Sequence, residues 1–78
     1  MFQKINLAKE SDNLKRKNLV KFKVDLGLKS KDMAKRLGIT NTKYSNIENG
    51  RVDPSIELLF KFREEFDADD VLELFKLV

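Results

Sequence analysis

Apolar residues recur along this chain at three- and four-residue intervals between short polar stretches, and no segment of useful length alternates with a period of two. That pattern predicts helices and no sheet. Gly27, Gly38 and Gly50 each follow a helical run, where a left-handed C-terminal cap is wanted. A first helix is expected over about 13–26, N-capped by Ser11 or Asp12, with Leu19, Phe22 and Leu26 as its buried stripe. A second is expected over about 31–37, burying Met33, Ala34 and Leu37. A third follows Thr40 as N-cap, ends near Asn49 and buries Tyr44 and Ile47. Pro54-Ser55 reads as the start of a fourth, over 56–66, with Ile56, Leu59, Phe60 and Phe66 as candidates for burial. A fifth begins after Asp69 and carries Val71, Leu72, Leu74, Phe75, Leu77 and Val78.

The expected fold class is therefore all-α, with residues 1–12 as an N-terminal extension and 13–78 as a single domain. Phe2, Ile5 and Leu7 make the extension too apolar for a free tail. A short strand, a continuation of the first helix and packing on a partner remain open for it. The fifth helix, about 70–78, is apolar on several sides. Such a helix is buried on several sides, which in so small a chain implies a partner.

A 78-residue chain buries only about 60% of its unfolded surface, so it leans on disulfides, a metal, or a second chain. With no Cys and no His, disulfides, zinc fingers and His-based catalysis are excluded. No metal and no cofactor is expected, and oligomerisation or tight helix packing is left. No apolar run nears the ~20 residues of a membrane span, and the N-terminus lacks the apolar core of a signal peptide. A cytoplasmic protein is expected.

Charge sharpens the picture. Residues 1–51 carry thirteen Lys/Arg and five Asp/Glu, a net +8; residues 52–78 carry three and eight, a net −5; together they give the chain's +3. A basic front and an acidic rear suit a protein that presents one face to a polyanion. Ordinary solvated helix surface would explain the same numbers, and for Lys15, Arg16, Lys17 and Lys21 that plainer reading is preferred.

The stretch 30–47 carries the functional signal. Ala34 precedes Gly38 by four residues, Gly38 is followed by Ile39-Thr40, and Tyr44 and Ile47 line one side of the next helix. Two short helices crossing over a tight turn need this: a small residue for close approach, a glycine for positive φ, and an apolar plug between them. LGITNTKYSNIENGRVDPS resembles the helix-turn-helix core of the phage Cro and repressor (Xre) family, with Ile47-Glu48-Asn49-Gly50 followed by Pro54-Ser55 as the most specific part. The similarity runs from about Leu19 to Leu74. It implies a five-helix, lambda-repressor-like DNA-binding domain whose third helix enters the major groove.

The resemblance implies base contacts from Asn41, Thr42 and Asn46, which taken alone read as solvated helix residues. Their chemistry suits the role, since Asn bonds an adenine edge with two hydrogen bonds and Thr offers a hydroxyl and a methyl. Ser30, Lys31, Lys43, Ser45 and Arg51 are the candidate phosphate contacts, which fix register without reading sequence. Lys29-Ser30 stands where the family opens its second helix with Ser or Thr, then Gln; either Ser30 caps and the helix starts one residue late, or the cap is lost. Lys23 stands where Arg is preferred, and the implied ion pair is Lys23–Glu48, weakened by the loss of the guanidinium fork. Tyr44 stands where Ile or Val is commoner, so its hydroxyl needs a partner, and Asp67 replaces a capping glycine. No second acid, nucleophile or metal ligand accompanies Glu48, so no enzyme is expected.

The expectation is a homodimeric repressor of a palindromic operator on double-stranded DNA, joined through Val71, Leu74, Phe75, Leu77 and Val78. The alternative is an antitoxin-like autoregulator whose C-terminal part binds a protein partner. A protein-interaction module without DNA binding is disfavoured by the basic front and the polar third helix.

Overall fold

The computed structural model describes residues 14–78, and among them lie five helices and no strand. These are α1 (Lys17–Asp25), α2 (Ser30–Leu37), α3 (Asn41–Glu48), α4 (Ile56–Phe66) and α5 (Val71–Leu74). Ser11, Asp12 and the apolar Phe2, Ile5 and Leu7 lie outside the described residues.

Their buried sides meet in one core of Leu19, Met33, Ala34, Leu37, Tyr44, Ile47, Leu58, Phe62, Ala68 and Phe75. Three of these ten residues are aromatic, and half-buried Phe22 and Phe66 pack against them. Phe62 packs against Phe22, Phe66 and Phe75 with ring centroids 5.4, 4.8 and 5.0 Å away, and Phe22 meets Phe66 edge-on at 5.6 Å. Tilted and edge-to-face pairs at this spacing add to simple area burial. Arg36 caps the cluster, its guanidinium 5.5 Å from the Phe66 ring centre.

The α2–α3 turn is built as its residue types require. Gly38 takes φ 72° and ψ 29°, and Ile39 N–H reaches back to Ala34 C=O at 3.0 Å. Ala34 is buried, and half-buried Ile39 packs on the core between the two helices. Thr40 caps α3 by accepting from Lys43 N–H at 3.0 Å, and Ser55 caps α4 by accepting from Leu58 N–H at 3.1 Å.

Five details depart from the sequence reading. Helix α1 starts at Lys17, well after residue 13. Here Leu14–Arg16 is committed elsewhere: Lys15 and Val78 exchange backbone hydrogen bonds of 3.3 and 2.9 Å, and Arg16 N–H donates to Glu48 C=O at 2.9 Å. Leu26 falls beyond the helix end and is 48% exposed, while half-buried Leu28 packs on the core in its place. Ser30 is the first residue of α2 rather than its cap; Asp32 accepts from Lys29 N–H at 2.9 Å, and the Lys29 side chain has no acceptor to return. On α4 the inward residues are Leu58 and Phe62, while Ile56 and Phe60 are 66% and 60% exposed. Finally, α5 is one turn long, Phe75 follows it into the core, and Leu77 and Val78 run on outside any helix.

Candidate nucleic-acid interface

Helix α3 is anchored on its inner side and open on its outer one. Tyr44, Ile47 and Glu48 are buried; Asn41, Thr42 and Lys43 are exposed; Ser45 and Asn46 are half-buried. Four-residue spacing brings Asn41 and Ser45, and Thr42 and Asn46, onto neighbouring rows of the outer surface. Gly50, two residues past the helix, takes φ 79°, and Arg51 N–H donates to Asn46 C=O at 2.8 Å. A Cβ on Gly50 would collide with the Leu14 carbonyl oxygen, so only glycine lets the segment before α1 cross here.

Glu48 is the one carboxylate of α3, and it points inward. Lys23 Nζ lies 3.0 Å from its Oε2 and donates to its Oε1 at 3.2 Å. Tyr44 Oη donates to Oε2 at 3.0 Å, which supplies the partner that the phenol required. Burial, then the charge and hydrogen bond of Glu48, push the Tyr44 hydroxyl far above its ordinary value near 10. Lys23 also donates to Ser30 Oγ at 3.0 Å. One lysine thus joins α1, the start of α2 and the end of α3, and the outer side of α3 is left with no acid.

Among the other expected contacts, Lys31 and Arg51 are exposed, and Ser30 is half-buried. With its oxygen accepting from Lys23, the Ser30 hydroxyl keeps its proton to donate. Arg51 Nη1 donates to Asn46 Oδ1 at a long 3.5 Å.

Three of the five residues assigned to a C-terminal seam pack on the chain's own core. Phe75 is buried in the chain's own core, and Val71 and Leu74 are half-buried against it. Leu77 is 41% and Val78 39% exposed, but Leu77 packs by Gly50 and Val78 pairs with Lys15. The apolar count of this segment is explained largely by one chain folding around Phe75.

Sequence reasoning missed Arg16 and Asp53. Arg16 is only 3% exposed and donates from Nη2 to Asp53 Oδ1 at 2.9 Å, tying the loop after α3 to the start of α1. Its Nε and Nη1 have no partner among the described residues. A lone basic residue in a basic stretch carries no sign of burial, and no spacing rule would have found the pair.

The helix-turn-helix family model, HTH_3, matches residues 21–69, well over half of the chain. Neither a curated protein nor a solved structure matches.

Proposed function

The chain belongs to the helix-turn-helix family of DNA-binding regulators, and from that premise we propose that it is a transcriptional repressor that binds a two-fold symmetric operator as a homodimer. It works in the cytoplasm, on bacterial or phage DNA. Helix α3 lies in the major groove, with Asn41, Thr42 and Asn46 at base edges and Lys43 and Ser45 beside them at phosphates. Ser30 and Lys31 at the start of α2, and Arg51 after α3, hold the flanking backbone.

One observation carries this reading: the outer side of α3 is wholly neutral or basic, because its sole carboxylate is turned inward onto Lys23 and Tyr44. A carboxylate left on that side would repel the phosphates on each flank of the groove. Two copies are needed because one α3 covers only a few base pairs, and recognition helices one DNA turn apart, about 34 Å, read two half-sites.

Selection of bound sequences from a random duplex pool tests the reading. The expected result is an inverted repeat with half-site centres about one turn apart, whose affinity falls with log salt at about −0.9 per phosphate neutralised. Enrichment of no sequence, or of a single unrepeated half-site, would overturn the symmetric-operator assignment.

A further inference from the structure

The outer side of α4 carries two exposed apolar residues at four-residue spacing, Ile56 and Phe60, at 66% and 60% exposure, and Val52 in the loop before it is 42% exposed. Phe60 stands between two shallow depressions that share Glu64, one also bordered by Glu57 and Lys61, the other by Arg63 and Asp67. We propose that this face is the seam between two copies of the chain, with α4 antiparallel to its counterpart and Phe60 at the two-fold axis. The proposal rests on the homodimer reading above and says where that dimer is joined.

Charge complementarity selects a second copy as the occupant. When identical helices cross antiparallel at one residue, the position three before it faces the position three after it on the other chain, twice over. Around Phe60 those positions are Glu57 and Arg63, both exposed, and neither is in any ion pair among the described residues. The symmetric pairing therefore sets acid against base on each side of the Phe60 contact.

Position agrees with charge. Exposed Val52 lies in the loop that leads from α3 to Ile56 at the start of α4, so an axis beside α4 lies off the C-terminal end of the recognition helix. Eight residues of α3 span about 12 Å. Half-sites one turn apart put each α3 centre about 17 Å from the axis, and the loop between α3 and α4 covers the difference. The C-terminal segment offers less: Val71, Leu74 and Phe75 pack on the chain's own core, which leaves Leu72 at 76% exposure and the less exposed Leu77 and Val78. An eleven-residue helix is about 16 Å long, too short to bury the ~800 Å² per partner of a standard interface. The dimer is therefore weak in solution and tightened by DNA that offers both half-sites.

The chain has no cysteine, so single cysteines report cleanly. Phe60→Cys and Leu72→Cys are oxidised side by side in the full chain, and sedimentation equilibrium is run on the unmodified chain, on Arg63→Glu, and on Glu57→Arg with Arg63→Glu. All these positions are exposed, so thermal melts should show that each variant folds. Expected are rapid cross-linking at Phe60→Cys and not at Leu72→Cys, a roughly tenfold weaker dimer for Arg63→Glu, and recovery in the charge-swapped double variant. A dimer indifferent to Arg63→Glu, with cross-linking favoured at Leu72→Cys, overturns this seam and leaves the homodimer standing. An unmodified chain that stays monomeric with and without duplex DNA overturns both.

Discussion

Two clusters hold this small protein together, and they are made of opposite materials. On one side Phe22, Phe62, Phe66 and Phe75 join α1, α4 and the end of the chain through ring contacts alone. On the other, Lys23, Ser30, Tyr44 and Glu48 join α1, α2 and α3 through hydrogen bonds around one ion pair. Aromatic burial is non-directional and strongly stabilising. A buried ion pair must first overcome the desolvation of both charges, and a well-packed apolar substitute is often as stable. What the polar cluster adds is direction: it holds the α3 carboxylate inward, on Lys23 and Tyr44. From this contrast, stability should depend chiefly on the aromatic cluster, and the presentation of α3 on the polar one.

The largest expected effect tests the first half of that contrast. Phe62 is fully buried and touches three other rings, so Phe62→Ala should cost about 3–5 kcal/mol by denaturant unfolding, most of the stability of a domain this size. In the polar cluster Glu48→Ala should cost about 2–3 kcal/mol, because Lys23, 14% exposed, is stranded but can partly turn to water. The decisive variant replaces the cluster with apolar groups: Lys23→Met, Tyr44→Phe and Glu48→Leu together. Its midpoint should stay near that of the unmodified chain while its preference for specific over random DNA collapses. If specificity survives, the polar cluster does not orient α3.

The pH response should come from the polar side. Tyr44 is the only tyrosine, and its hydroxyl is raised well above its ordinary value by burial and by Glu48. A raised acid is fully stabilising below the unfolded pKa, near 10, and loses that contribution as pH climbs beyond it, because only the unfolded chain ionises. Stability should therefore fall by up to about 1.4 kcal/mol per pH unit above that point, and Tyr44→Phe should remove this component. Phenolate absorbance should rise together with unfolding. A phenolate signal that appears first, in a folded chain, would mean that the Tyr44 hydroxyl is open to water.

How far the sequence foretold this depends on where each signal is written. The α2–α3 turn was legible because Ala34, Gly38 and Thr40 each meet a steric or capping need that few residues satisfy. The limits of α4 were legible from Ser55 to Phe66 for the same reason. Its buried side was not, because apolar residues at 56, 58, 59, 60, 62 and 66 form two interlaced stripes. Which stripe turns inward is settled by Phe22 and Phe75, from distant parts of the chain. The C-terminus misled in a similar way: residues 71–78 read as helix throughout, whereas Val78 pairs with the Lys15 backbone, and such bonds leave no mark in side-chain pattern. The outer residues of α3 came from resemblance to a family, and the structure adds that Asn41, Thr42 and Lys43 are exposed while Ser45 and Asn46 are half-buried.

The smallest effect should be the most informative about the polar cluster. Lys23 stands where an Arg is usual in the resembling family, and Ser30 where a Gln is usual. Read one at a time these are two weakenings, a lost guanidinium fork and a lost amide. In the structure they touch: Lys23 Nζ reaches Ser30 Oγ at 3.0 Å while it spans both oxygens of Glu48. The ammonium group has three protons, and three acceptors surround it. A guanidinium at 23 would be wide enough to crowd the short Ser30 side chain, and a glutamine at 30 would crowd the lysine. Lys23→Arg and Ser30→Gln should each cost about 0.5 kcal/mol alone, while the double variant should be close to neutral, a favourable coupling of about 1 kcal/mol. A double-mutant cycle by urea unfolding measures it. Additive costs would mean that the two positions vary independently and that the Lys23–Ser30 contact is incidental. Coupling of the expected sign would mean that the small polar residue at 30 is what allows a lysine to serve at 23.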